Sequence, residues 1–516
     1  MKRPFFIFFS IGLALAYGYT YFIAFYYGFN GIVSYLLTVE FGGYYFWLMI
    51  VPALLIWAVF VLISDNKIKS SYGNSKWATF RDIKKMGLFA KNGLIFGIFK
   101  NKFIRSDQPL SILLNAPPGT GKTSAFAIPI LLTCDYSMII NDVKNELWEI
   151  TSKFRSKHQK IIRFAPAEEE SAKWNAFSEL PKEFSKQLIF LNRIASVLYP
   201  TKGDPDKDHW PRNARTLFVF FAVVSILAND ELSFSSIRSQ ILDTDNIQDF
   251  AAEYIDDFEE TDNEALNKFI KENANSILQF EDREFSSVVS TCRTALDVFN
   301  DPFISKNTSE TDFSIQELRD EKVSIYLSSS TEDAERIIPI TKLFIELATG
   351  KLLSDKPRND QKILILADEF IKMGKMEKLV STPDLSRGQK LIVVFIVQSF
   401  NQIKALYGEN GANTLISTTS YKIIFTQNDI SSMKLVSELI GKKTVSKISH
   451  SKNRDWKSAN INESKSEEGV PLILPQEIGE LTSDQVIIIA QGYNTRPIMA
   501  QTCKWYELDA MKKLVE

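Results

Sequence analysis

The chain has 516 residues, 45% hydrophobic, 12% aromatic and 24% charged, which is enough for more than one core-bearing unit. Its 60 basic and 62 acidic residues, 22 glycines, 18 prolines and three cysteines exclude a collagen-like or disordered chain, a disulfide scaffold and a uniformly basic nucleic-acid coat. Cys134, Cys292 and Cys503 cannot all pair, and His158, His209 and His450 are scattered, so the sequence fits a reducing compartment and offers little to a histidine metal site or a histidine-activated nucleophile.

In chain order, residues 1–64 hold only three charged side chains, Lys2, Arg3 and Glu40. A bilayer-crossing helix needs about 20 apolar residues. Two stretches fit, roughly 5–27 and 44–63, with Tyr and Trp gathered at their ends. Lys2 and Arg3 precede the first, Lys67, Lys69 and Lys76 follow the second, and the short connection carries only Glu40. This charge bias predicts a transmembrane hairpin over 1–66 with both termini cytoplasmic. A cleaved leader ending near Ala14-Leu15-Ala16 is the competing reading, but the apolar run continues well past that point.

From Asp65 to Asp107 ten basic residues face three acidic ones, a surface for anionic lipid headgroups or, as the sharper alternative, for DNA phosphates. From Asp230 to Glu284 the balance reverses, with sixteen acidic against four basic residues, which repels DNA and suits a cationic protein partner or an ordinary solvated helical surface. Residues 445–469 are polar and lack apolar periodicity, which predicts a mobile loop.

Short apolar runs bounded by polar or turn residues predict buried parallel strands. They are Ser111–Leu114, Ser137–Ile140, Lys160–Phe164, Val323–Leu327, Ile363–Ala367, Leu391–Val397, Tyr421–Thr426 and Val486–Ala490. Helical patterns between them give an α/β fold with a doubly wound, mostly parallel sheet.

The first of these strands runs into Ala116-Pro117-Pro118-Gly119-Thr120-Gly121-Lys122-Thr123, a phosphate-binding loop in which Ala116 replaces the first glycine. A helix follows from Ser124. Backbone N–H groups around Pro118, Gly119, Thr120, Gly121 and Ser124 would cradle phosphates, helped by the helix N-terminus. Lys122 would reach the β- and γ-phosphates of ATP, and the Thr123 hydroxyl would ligate Mg²⁺. A second carboxylate is supplied 246 residues beyond Lys122, where the apolar strand 363–367 ends in Asp368-Glu369. Asp368 is expected to hold Mg²⁺ and Glu369 to polarise the attacking water. Gln398 ends the next apolar strand, where a polar side chain can contact the γ-phosphate or the water. Arg387, 19 residues past Asp368, is placed to act in trans on a neighbour's γ-phosphate in a ring, or is a surface arginine. The long separation of the two acidic and basic motifs predicts an inserted all-α domain at 184–300, between nucleotide-domain segments at 67–183 and 301–516.

These motifs in this order resemble the type IV secretion coupling proteins, the TraG/TraD-like conjugation ATPases. The further residues that carry the resemblance are Trp77-Ala78, Asn141-Asp142-Val143-Lys144-Asn145-Glu146-Leu147, Trp174-Asn175, His209-Trp210 with Ala214-Arg215, Asp368-Glu369-Phe370, Gln398-Ser399, Tyr407-Gly408 and Arg496-Pro497-Ile498. The departures are Ala116 and Ala176, which stand where the family has glycine and proline. The resemblance implies a RecA-like ATPase domain with an all-α insertion, assembled as a homo-hexamer on the cytoplasmic face of the bacterial inner membrane. It further implies single-stranded DNA with its relaxase, effector proteins, or both as cargo, and the other secretion components as partners. The alternatives are an FtsK-like membrane DNA translocase and a membrane receptor that binds ATP with little turnover. The ABC-transporter reading of Leu385-Ser386-Arg387-Gly388-Gln389 is rejected because that motif precedes the acidic strand in those proteins and follows it here.

Overall fold

The computed structural model describes residues 72–452 and 461–516, except 202, 229, 244–245 and 358–359, together with Phe22 and Tyr26. Apart from Phe22 and Tyr26, the two expected spans therefore lie outside the described residues. Among the described ones no helix is long and apolar enough to cross a membrane. The chain divides into two units, Asn74–Lys443 with Gly469–Glu516, and Met1–Gly73 with Thr444–Glu468.

The larger unit is built on an eleven-stranded sheet. Its strands are β1 (Leu94–Phe99), β2 (Lys102–Ser106), β3 (Ile112–Asn115), β4 (Ser137–Asp142), β5 (Lys160–Phe164), β6 (Val323–Ser328), β7 (Ile363–Ala367), β8 (Leu391–Val397), β9 (Tyr421–Ile424), β12 (Gln485–Ala490) and β13 (Ile498–Gln501). Residues Lys442–Lys452 (β10) and Ile461–Pro471 (β11) pair separately as a two-stranded ribbon. The order in the large sheet is β2-β1-β13-β12-β9-β3-β8-β7-β4-β6-β5.

From β9 to β5 every neighbouring pair is parallel. Strands β3, β4, β7 and β8 are buried along their whole length. That is why they read as continuous apolar runs rather than alternating ones: both faces lie under other elements.

Two expectations are corrected. Val486–Ala490 was expected among the parallel strands, but β12 runs antiparallel to β9, with Ile488 opposite Ile423. An apolar run encodes burial on both faces; direction is set by the connection. Residues 445–469 were expected as an unstructured loop, but they lie largely within the β10–β11 ribbon. A ribbon in which Thr444, Lys447, Glu467 and Glu468 are part of a polar surface needs no apolar face, and β-branched residues such as Thr444 and Val445 suit extended backbone.

Helices supply the rest. α1 (Phe80–Lys85) precedes the sheet, α2 (Ile128–Thr133) follows the phosphate-loop turn, and α3 (Glu146–Arg155) joins β4 to β5. Between β5 and β6 an all-helical block contains α4 (Phe184–Leu198), α5 (Pro205–Leu227), α6 (Phe234–Asp243), α7 (Ile247–Asp256), α8 (Glu264–Leu278), α9 (Asp282–Leu296) and α10 (Pro302–Ser309). α5 starts on an Asp204 cap with Pro205 in its first turn, and it is buried continuously from Leu217 to Ser225. A helix apolar all round is a central helix. Its Phe218 stacks on Phe234, which in turn stacks on Phe299 with ring centroids 4.3 Å apart. The block's core is continuous with one face of the sheet, so Phe218 and Phe234 belong to the same apolar cluster as Leu113, Ile139 and Ile365. After β6 come α11 (Ile338–Ser354), α12 (Glu377–Gln389), α13 (Phe400–Thr418) and α14 (Ile430–Ile440).

Candidate functional site

Strand β8 lies between β3 and β7, so three parallel strands deliver their carboxyl ends to one corner. Open α/β sheets bind ligands at such ends. β3 leads into the phosphate loop, β7 into Asp368-Glu369, and β8 into Gln398. The Ala116 N–H donates to the Val397 carbonyl at 2.9 Å, which fixes the start of the loop beside the residue preceding Gln398.

The loop is made by its glycines. Gly119 and Gly121 sit at φ +78° and +83°, left-handed backbone that other residues adopt at a cost. A Cβ at Gly119 would meet no atom within 4 Å, and Pro118 and Gly119 are exposed, so the crest of the loop is open to a ligand. Thr120 closes the turn by donating to the Pro117 carbonyl at 2.7 Å, and Ser124 donates to the Gly121 carbonyl at 3.2 Å. Thr123 opens a wide π-helical turn, Thr123–Ala127, that runs into α2. Arg155, fully buried on α3, anchors the far end of α2 by donating to the carbonyls of Leu131, Cys134 and Tyr136 and to the Ser324 hydroxyl. The Leu131 and Cys134 carbonyls are ones a helix end leaves unpaired.

The ammonium of Lys122 lies 3.2 Å from Asp368 Oδ1. Two residues 246 positions apart thus meet at one point. Asp368 is held in turn: Asn141 Nδ2 donates to its carbonyl at 2.7 Å, and the Glu369 N–H donates to its carboxylate at 3.0 Å. Glu369 adopts left-handed backbone at φ +51°, an uncommon state for a residue with a Cβ and one that gathers at functional sites. Its carboxylate pairs with Lys372 at 2.6 Å and lies 3.7 Å from Lys144. Burial alone would raise this carboxyl; the Lys372 hydrogen bond and the charges of Lys122, Lys372 and Lys144 outweigh it and hold the group below its ordinary value. Asp142, at the end of β4, behaves oppositely. Burial raises it to about 6 even though it accepts the N–H groups of Leu147 and Trp148 at the start of α3.

The donor set fits a magnesium nucleotide. Two left-handed glycines open the loop, and the buried Lys122 ammonium has no hydrogen-bond acceptor among the described residues beyond the nearby Asp368 carboxylate. Thr123 and Asp368 are the residues that would hold Mg²⁺. Arg387 is not brought to this corner. It is exposed in the last turn of α12, which leads back to the amino end of β8, and its charge is felt at Tyr421, the first residue of β9. Sequence reasoning did not assign Lys372 and Lys144 to the site. Lys372 follows Glu369 by three residues, a spacing that brings side chains together on a helical turn. Lys144 is adjacent only because β4 pairs with β7 in the register Asn141 to Ala367.

Residues 76–516 match the family model described as type IV secretory system conjugative DNA transfer. The chain is 25% identical over 473 residues to Protein VirD4 of Rhizobium rhizogenes, covering 88% of this chain and 68% of that one. To the conjugal transfer protein TraG of Escherichia coli it is 24% identical over 468 residues, covering 81% and 73%. Among solved structures, the bacterial conjugative coupling protein TrwBdeltaN70 in its unbound monoclinic form superposes with a TM-score of 0.62 at 17% identity, over 84% of this chain and 95% of that chain. Plasmid coupling protein TrwB with the ATP analogue ADPNP gives 0.63 at 17% identity, over 83% and 93%.

Proposed function

From the premise that this chain belongs to the type IV secretory system conjugative DNA transfer family, we propose that it is the ATP-driven coupling motor of such a system, using ATP hydrolysis to deliver cargo to the secretion channel. The observation that carries this reading is the meeting of Lys122 and Asp368 at 3.2 Å beneath an open glycine loop. A relative's complex with ADP and Mg²⁺, that of plasmid coupling protein TrwB, supports the same ligands here. Bound Mg²⁺ would neutralise charge on the β- and γ-phosphates. This chain's own residues do the remainder. The loop N–H groups and Lys122 orient the triphosphate, Glu369 accepts the proton of the attacking water, and Gln398 aligns that water.

In the proposed assembly the protein is a homo-hexamer held to the inner membrane by the hairpin over 1–66, with both termini cytoplasmic. Arg387, remote from its own chain's site, reaches the site of a neighbour and stabilises developing charge there. Cargo is single-stranded DNA carrying its relaxase, an effector protein, or both. The helical block, with its acidic surface, faces the cytoplasm and receives it.

The decisive experiment compares wild type, Lys122→Ala and a deletion of residues 1–64 in a cellular transfer assay scored for DNA and protein export, alongside ATPase rates of the first two in detergent. Loss of turnover and of export in Lys122→Ala is the expected result. Equal ATPase rates would leave only a nucleotide-binding receptor.

A further inference from the structure

The segment that carries Glu369 is gripped from the side by a residue the mechanism does not use. Glu369 opens a short helical turn, Phe370–Met373, which ends at Gly374 with φ +72° before α12 begins. Phe370 is fully buried and packs edge-on against Phe395 of β8, centroids 5.0 Å apart. Tyr407 of α13 also stacks on it, with an interplanar angle of 5° at 5.9 Å. The Tyr407 hydroxyl accepts the Met376 N–H at 2.9 Å and donates to the Gly374 carbonyl at 3.3 Å. One side chain thus fixes both ends of the turn, its first ring and its exit.

The helix carrying Tyr407 is shaped for this contact. Gly408 breaks the helical backbone at φ +74°, immediately after Tyr407. Gly411, one turn on, leaves no room for a Cβ, which would stand 2.7 Å from Tyr407 Cβ. The left-handed backbone at Gly408 calls for glycine, whereas a glycine within the helix, as at Gly411, is destabilising by about 1 kcal/mol relative to alanine, and here both seat one tyrosine. The same helix starts just after Gln398 at the end of β8. Tyr407 therefore ties the Gln398 strand and the Glu369 turn into one body.

We infer that Tyr407 is a positioning residue for ATP hydrolysis: its ring and hydroxyl hold the 369–376 turn so that the Glu369 carboxylate stands where water is activated. This rests on the proposed ATPase reading. The prediction is specific because Tyr407 touches the acid's turn and not the phosphate loop.

The test uses the full chain in detergent. Tyr407→Phe keeps the ring and removes both hydrogen bonds, so kcat should fall about tenfold, the size expected for a lost hydrogen-bond pair that orients a reacting group. KM for ATP and affinity for a fluorescent ADP analogue should stay at wild-type values. In a Glu369→Gln background, measured by single turnover with radiolabelled ATP, Tyr407→Phe should have no further effect. Tyr407→Leu, which also loses the stacking, should lower kcat further. Wild-type kcat in Tyr407→Phe overturns the inference. So does an equal loss in the Glu369→Gln background, or a loss shared by nucleotide affinity, since either would make the tyrosine merely structural. Absence of turnover in the wild type itself would instead sink the ATPase reading.

Discussion

At the corner where β3, β8 and β7 end, a handful of side chains (Lys122, Asp368, Glu369 and the lysines around it) converge within about one side chain's reach, and the strands beneath are wholly buried. The helical block from Phe184 to Ser309 is organised differently: an aromatic interior, and an exposed surface on which acids such as Asp256, Asp257, Glu259 and Asp262 stand apart. In the corner a charge matters because few partners surround it at low dielectric; on the block a charge is one of many in water. Function in the first region therefore hangs on single atoms, and in the second on a summed field.

The largest effect that would break this contrast is expected at Glu369. Glu369→Gln should lower ATP turnover by roughly 10²- to 10⁴-fold, the range for removing a general base. Nucleotide binding should persist, because the loop and Lys122 are untouched. Steady-state ATPase rates set beside fluorescent-nucleotide titration check both halves. Turnover within a few-fold of wild type would mean the corner does not work through single atoms.

In the block the comparable single change acts on stability instead. Phe234 stacks on Phe299 at 4.3 Å inside the shared cluster, so Phe234→Ala should cost roughly 3–5 kcal/mol. Since block and sheet share one core, calorimetry should show the whole transition move down together. A separate early transition confined to the block, leaving the main one in place, would show that the two regions are energetically independent.

The corner was the more legible region because each part has a local cause. Glycines at Gly119 and Gly121 mark left-handed backbone, and a five-residue apolar run before Asp368 marks a buried strand. What was not legible depends on strand order and on backbone state. Lys144 reaches Glu369 only through the pairing of β4 with β7, and the left-handed φ of Glu369 has no glycine to announce it. The antiparallel wing escaped for another reason. β2 and β13 are short and mix polar with apolar residues, and the apolar run of β1 is broken by Gly97. The polar ribbon gave no apolar pattern at all, since both of its strands are solvated where their side chains are described.

A buried acid near the corner sharpens the contrast by a smaller amount. Glu346 of α11 accepts the N–H groups of Lys378 and Leu379 at the start of α12. Burial, only partly offset by Lys342 and those N–H groups, raises it from 4.5 to about 7. The folded chain then binds this proton more tightly than the unfolded chain. Stability from this group is present below pH 4.5 and is lost as pH climbs through about 7. Glu346→Gln removes the titration, so its urea stability relative to wild type should improve between pH 5 and pH 8, with a ceiling of about 3 kcal/mol. No change in that difference with pH would place the carboxyl in water.

The exposed acids should behave as the reverse case. Replacing Asp256, Asp257, Glu259 and Asp262 by their amides changes four solvated groups that touch neither the nucleotide corner nor the aromatic interior. Exposed charges contribute little to folding, so Tm and basal ATPase rate should stay at wild-type values. Their summed field is a different matter, because it acts over about 8 Å at physiological ionic strength and adds across neighbours. Binding of an arginine-rich peptide, followed by anisotropy, should weaken roughly tenfold at low salt in the quadruple variant, and the two proteins should converge as salt rises. A variant that binds the peptide as wild type does at every ionic strength would strip the block's surface of any electrostatic role in recruiting cargo, and the ATPase corner would stand unaffected by that outcome.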